Sequence, residues 1–163
     1  MSAQPDILAS LAIRPMRTDD LDAVCAIEDY VYDFPWSRGI FNDCLLAGYS
    51  CVVLEGNGEV MGYAIMSAAA AEGHILNLCI NSHLRCQGRG RKLLDYLLAR
   101  AAALNMERLF LEVRPSNTAA IALYDSAGFD RLGTRRGYYQ ALDGREDALV
   151  FVREFGGEED SSV

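Results

Sequence analysis

The tripeptide Gly56-Asn57-Gly58 separates two apolar runs, Ser50 to Glu55 and Glu59 to Ala69. Asn-Gly tolerates the positive φ angles of a tight reverse turn, so the two runs are predicted to pair as a β-hairpin. A third run, His74 to Ile80, extends this block of strands. Everything else must be arranged around a sheet that begins here.

Upstream, Leu11 to Met16 reads as a short strand. Thr18 is a plausible N-cap, with Asp19 and Asp20 suited to a first helical turn. Leu21, Val24, Cys25 and Ile27 then form a helical stripe. Phe34-Pro35-Trp36 breaks the chain, and Ser37 caps a second helix carrying Ile40, Phe41, Cys44 and Leu45, stopped near Gly48. Downstream, a polar, basic loop opens a helix from about Arg89 to Leu104. Arg108 to Val113 is a buried strand, and Asn117 to Ala127 is a helix ended by Gly128. Arg131 to Tyr138 and Asp147 to Glu154 form a last hairpin across Asp143-Gly144. The order β-α-α-β-β-β-α-β-α-β-β is that of an α+β fold, a mixed sheet flanked by helices. The expected organisation is a loose extension at 1–10, one domain at 11–155 and a flexible acidic tail at 156–163.

Composition limits what such a domain does. Of 163 residues, 51% are hydrophobic and 23% charged, which suits a globular core. Fifteen Lys and Arg against 23 Asp and Glu leave a net charge of −8. That disfavours non-specific nucleic-acid binding and favours cationic partners. No apolar run reaches the roughly 18 residues of a membrane span, and the first residues lack the features of a secretion signal. A cytoplasmic location is the expectation. Five cysteines at irregular spacing, with no Cys-x-x-Cys, suggest reduced thiols in place of a disulfide framework. Two histidines far from any cysteine pair suggest no metal site.

The densest functional signal is Arg85-Cys86-Gln87-Gly88-Arg89-Gly90-Arg91-Lys92, between a strand and a helix. Glycines let a backbone approach a ligand closely, and the first turn of a helix presents amides and a positive dipole to an anion. Four cations in eight residues of an acidic chain strengthen the expectation of a pyrophosphate; a solvated basic helix start is the plainer alternative. A Walker A loop is excluded because Leu93 follows Lys92. A dinucleotide fingerprint lacks its third glycine, also at Leu93, and Gly88 lies too far beyond the strand.

The pattern Arg/Gln-x-x-Gly-x-Gly/Ala after a strand resembles the acetyl-CoA loop of the GCN5-related N-acetyltransferases, over about residues 11 to 154. Further stretches narrow the resemblance: Phe34-Pro35-Trp36-Ser37, Asn77-Leu78-Cys79-Ile80, Leu111-Glu112-Val113-Arg114-Pro115-Ser116-Asn117, Ala120-Ile121-Ala122-Leu123-Tyr124, Arg135-Arg136-Gly137-Tyr138-Tyr139 and Gly144-Arg145-Glu146-Asp147-Ala148. Together they are similar to the bacterial ribosomal-protein alanine N-acetyltransferases. Cys86 departs from the larger polar residue more usual there.

The resemblance implies a GNAT fold with a mostly antiparallel sheet. It implies acetyl transfer from acetyl-CoA, without metal, to the α-amine of small-subunit ribosomal protein number eighteen, a basic partner, by a monomer or weak oligomer. It further implies Glu112 as base and Tyr124 as acid. Leu78, Cys79 and Ile80 would meet the pantetheine through main-chain groups, with Arg85, Cys86, Gln87, Gly88, Arg89, Gly90 and Arg91 at the pyrophosphate and Asn117 beside the arm. Phe34, Pro35, Trp36, Tyr138 and Tyr139 would wall the peptide slot. A broader range of N-termini, a small-amine acceptor, or a non-catalytic acyl-CoA module are the alternatives.

The residues alone leave several of these roles open. Glu112 also reads as a strand-end carboxylate paired with Arg114 or Arg108. Tyr124, seven residues after Asn117 and so on the same helix face, also reads as core. Cys79 between Leu78 and Ile80 reads as a small core residue more readily than as an acylated nucleophile. Trp36 also reads as an anchor for its helix. His74 and His83 have no partner pattern and read as surface or strand-end residues. An α-amine near pKa 8 needs only a modest base. Even so, direct proton transfer to an ordinary carboxylate near 4.3 is uphill by about 5 kcal/mol.

Overall fold

The computed structural model describes residues 11–81 and 88–156. The expected extension at 1–10, residues 157–163 of the tail, and Arg85, Cys86, Gln87 and His83 lie outside the described residues.

The chain begins with β1 (Ala12–Pro15), a 3-10 turn (Thr18–Asp20), α1 (Leu21–Val31), α2 (Arg38–Leu46), β2 (Ser50–Gly56), β3 (Glu59–Ala69) and β4 (Glu72–Ile80). It continues with α3 (Arg89–Ala103), β5 (Arg108–Val113), α4 (Thr118–Ser126), β6 (Asp130–Ala141) and β7 (Gly144–Glu154). This is the expected element order. The strands form one mixed seven-stranded sheet in the order β1-β2-β3-β4-β5-β7-β6.

The described residues sort into two compact units. One comprises residues up to Met66 and from Asn77 to Tyr96; the other comprises Ser67–Leu76 and the chain from Leu97 on.

In the first unit, β1 pairs antiparallel with β2, and β2 with β3. The β2–β3 turn is the expected one: Asn57 and Gly58 have φ of 53° and 79°, both in the left-handed region that this pair tolerates. Leu21, Val24, Phe41, Val53, Leu54, Tyr63 and Ile65 are almost completely buried. Ser37 caps α2 as expected, its Oγ accepting from the Ile40 amide at 3.3 Å.

The start of α1 differs from expectation. Thr18 is not its N-cap; residues 18–20 form the 3-10 turn and α1 starts at Leu21. The reason is Asp20. Its carboxylate accepts from the Arg17 amide at 2.7 Å and from both terminal nitrogens of Arg14 at 2.8 and 2.9 Å. A threonine hydroxyl offers no such bidentate acceptor to a guanidinium.

In the second unit, β4 pairs parallel with β5 from Glu72↔Arg108 to Ile75↔Leu111. β5 and β6 each pair antiparallel with β7. Leu109, Leu111 and Val113 are buried on one face of β5, so Phe110 and Glu112 share the other. Gly128, at φ 89°, ends α4 as expected; the Phe129 amide donates to the Tyr124 carbonyl at 3.1 Å. β6 is longer than its sequence suggests. It runs through a register shift between Arg135 and Tyr139, so the two tyrosines lie within the strand and not at its loop.

Asp20 links this geometry to pH. Its hydrogen bonds to Arg14 outweigh burial and, with the Arg17 amide, hold its carboxyl below the ordinary carboxylate value. Stability from a depressed pKa is present above the unfolded value and disappears as pH falls through the folded one. Urea denaturation of Asp20→Asn should therefore show a loss of about 2 kcal/mol at pH 7 that shrinks toward zero near pH 2. A pH-independent difference would contradict this.

Candidate active site

The candidate site residues fall in both units, and Glu112 lies in the second. Its side chain is 8% exposed. The parallel register sets His74 opposite Phe110, and Glu112 lies two residues further along the same face of β5. His74 thereby becomes the diagonal neighbour of Glu112, with Nε2 2.6 Å from Oε1. Arg135 of β6 brings Nη1 to 3.7 Å from the other oxygen, Oε2.

This corrects two expectations. His74 has a partner, and Glu112 is paired with neither Arg114 nor Arg108. Arg114 is drawn off by Glu146 at 3.1 Å and by the Gln140 carbonyl at 2.7 Å. Arg108 faces Glu72 and Glu154 at the sheet's rim.

Tyr138 and Tyr139 stand edge to face, with ring centres 4.8 Å apart. Arg135 lies over the Tyr138 ring at 4.3 Å and Arg114 over the Tyr139 ring at 4.4 Å. Burial first, and then neighbouring negative charge including Glu112, raises both phenols above their ordinary pKa. Behind them, Gly137 bends the strand at φ 59°. Asp147 accepts from its amide at 2.8 Å, and Arg145 donates to its carbonyl at 2.6 Å. Glu146 accepts from Arg114 and from the Ser116 amide at 3.2 Å. The run Arg145-Glu146-Asp147 is thus a bracket that fixes the aromatic wall.

Tyr124 is buried on α4, with its ring edge-on to Phe129 at 5.6 Å. Burial raises its pKa, so the phenol keeps its proton throughout the neutral range. Asn117 is the N-cap of α4, and its Oδ1 turns back to accept from the Ala120 amide at 3.1 Å.

In the first unit the sequence reading missed Glu28. It lies on α1 and is 2% exposed. Its carboxylate accepts from the Tyr63 hydroxyl at 2.6 Å, the Asn77 side-chain amide at 3.0 Å and the Trp36 backbone amide at 2.9 Å. One buried anion therefore ties the Phe34-Pro35-Trp36 turn to β3 and to β4 just before Leu78. The Trp36 ring also packs on Phe41 of α2 at 5.2 Å, so it does anchor a helix, while Phe34 and Pro35 are exposed. A signal for Glu28 existed: an acid on the buried stripe of Leu21, Val24 and Ile27 needs internal donors.

Cys79 and Ile80 are buried and Leu78 is half-buried. The Cys79 thiol lies 3.8 Å from the Ile80 carbonyl. Cys25, Cys44, Cys51 and Cys79 are all free thiols, and burial pushes Cys51 up to about 11.

Before α3, Gly88 has φ 80°, and a Cβ there would meet nothing within 4 Å. The Lys92 amide donates to the Gly88 carbonyl at 3.1 Å, which places Arg89, Gly90 and Arg91 in the first turn. The cationic side chains are less available than the sequence suggests. Arg91 pairs with Asp95 at 2.9 Å, and Arg89 is buried. Among the described residues no group of acidic, His or Cys side chains could hold a metal ion, and no helix is long and apolar enough to cross a membrane.

A mixed seven-stranded sheet in this order, with a glycine-led helix after its fourth strand, defines an acetyltransferase. Residues 12–129 match the Acetyltransferase (GNAT) family, and the chain belongs to it. Within the family, it is 38% identical over 140 residues to ribosomal protein bS18-alanine N-acetyltransferase of Escherichia coli strain K12, covering 86% of this chain and 95% of that one. The enzyme of the same name from Salmonella typhimurium strain LT2 is 35% identical over 137 residues, covering 84% and 93%. The crystal structure of the ribosomal-protein-S18-alanine N-acetyltransferase from Escherichia coli superposes with a TM-score of 0.85 at 35% identity, covering 94% of this chain and 99% of that one.

Glu28→Ala would strand one buried donor, the Tyr63 hydroxyl, and two part-buried ones. It should cost on the order of 3 kcal/mol in urea denaturation, whereas Glu28→Gln, whose amide oxygen still accepts, should lose less. Equal losses would show that the acceptor role is not what Glu28 contributes.

Proposed function

We propose that this protein transfers acetyl from acetyl-CoA to the N-terminal alanine of ribosomal protein bS18, in the cytoplasm. The observation carrying this reading is the 38% identity spread over nearly the whole of a relative with that activity. The net charge of −8 suits a basic acceptor peptide.

Acetyl-CoA supplies an activated acyl group on a thiolate leaving group. The chain must hold it, keep the acceptor amine neutral, and manage one proton at each end of the reaction. In this reading residues 85–91 take the diphosphate through main-chain amides, and the open surroundings of Gly88 support that use of the backbone. Asn117 contributes only what its capping role leaves over. Main-chain groups of Leu78, Cys79 and Ile80 take the pantetheine and polarise the carbonyl. Phe34, Pro35, Trp36, Tyr138 and Tyr139 hold the peptide; Glu28 fixes the Trp36 backbone, and the Arg145-Glu146-Asp147 bracket fixes the tyrosines.

Glu112 is the base. Its carboxylate, flanked by His74 and Arg135, takes the proton that the amine loses as its nitrogen bonds to the acetyl carbon. Tyr124 offers its O–H to the sulfur as the carbon–sulfur bond breaks, and burial guarantees that the O–H is present.

Tyr124→Phe should lower kcat by about 100-fold with acetyl-CoA affinity unchanged. An unchanged kcat would remove the hydroxyl from the reaction. Mass spectrometry of a peptide carrying the bS18 N-terminus and internal lysines should show acetylation at the α-amine alone. Modified lysines or polyamines would point to a broader acceptor, and tight acetyl-CoA binding without transfer would point to a non-catalytic module.

A further inference from the structure

We infer that His74 is where the acceptor's proton comes to rest, with Glu112 holding the imidazole in the tautomer that can take it. This rests on Glu112 lying at the reacting centre. The geometry is that of a carboxylate–imidazole pair: Nε2 lies 2.6 Å from Oε1, the carboxylate is 8% exposed and the imidazole 33% exposed.

A contact that short to a carboxylate requires a hydrogen on Nε2. The neutral ring then carries its lone pair on Nδ1. As the amine nitrogen bonds to the acetyl carbon, its N–H bond breaks and Glu112 takes the proton, which then passes through water to Nδ1 of the imidazole. The product is an imidazolium beside an anionic Glu112, a pair stabilised by its own attraction. The proton later leaves Nδ1 to solvent, which the ring's exposure permits.

The energetics favour this over a lone carboxylate. An imidazole is by nature a stronger base than a carboxylate, so the ring retains a proton that a carboxylate would surrender. Arg135 faces Glu112, and Tyr138 and Tyr139 lie behind it with raised pKa values. Arg114 is engaged by Glu146, and Glu72 at the start of β4 by Arg108. Among these types only imidazole ordinarily titrates between pH 5 and 8.

The test is the steady-state rate with the alanine-starting peptide. In His74→Gln, which keeps a donor for Glu112 but accepts no proton, kcat should fall about 10- to 100-fold with acetyl-CoA affinity unchanged. A wild-type rate in His74→Gln would overturn the inference while leaving Glu112 as base. Full activity in Glu112→Gln would instead overturn the base assignment on which it rests. Nitrogen-15 NMR of the histidine-labelled wild-type chain at pH 8 gives an answer independent of any variant's folding. There are two histidines in the sequence, and His74 is the signal that His74→Gln removes. A proton on Nε2 supports the inference; a proton on Nδ1 overturns it.

Discussion

Four rungs of parallel pairing between β4 and β5 decide which side chains surround Glu112. From Glu72↔Arg108 to Ile75↔Leu111 they fix which side chain stands beside which. Side chains alternate faces along a strand, so a register one residue different would turn Glu112 away from His74. β4 then runs five residues past the last rung, to Ile80. The segment assigned to the donor is therefore strand that this ladder does not occupy, continuous with strand that it holds.

Each unit holds a buried or half-buried acidic side chain with specific partners. In the first unit, the Glu28 carboxylate gathers three neutral donors from three parts of the chain. In the second, Arg145 and Asp147 hold the carbonyl and the amide of Gly137 in β6, while Glu146 holds Arg114 and the Ser116 amide just after β5. Such networks are costly when half satisfied and rigid when complete. A reaction that depends on placing an amine against a carbonyl needs that rigidity more than it needs extra stability.

The fold was largely readable because its signals are local. Asn57-Gly58, Ser37, Gly128 and the apolar runs each act within a few residues, and all sit where the sequence puts them. Thr18 misled because the winning acceptor, Asp20, answers to Arg14, which lies on a different element. The site was less readable for the same reason. Glu112 and Tyr124 could be named by resemblance. Their surroundings could not, because His74 reaches Glu112 through a strand register separated by 38 residues of chain. Glu28 was legible in part, as an acid on an apolar stripe. Its donors, Tyr63 and Asn77, carry no local mark. At the start of α3, Arg91 meets Asp95 four residues on, a contact that helix geometry alone brings about.

The sheet's borders carry a further consequence. A seven-stranded sheet has two open margins, and these are β1 and β6. β1 is only four residues long, and its Arg14 is engaged by Asp20 and Glu55. β6 is long, but it bears Arg131, Arg135 and Arg136 and is kinked at Gly137. Short length, like charges and a break in the pleat all discourage another chain from adding itself to the ladder. The same kink that precedes Tyr138 and Tyr139 thus also guards the sheet's longer margin.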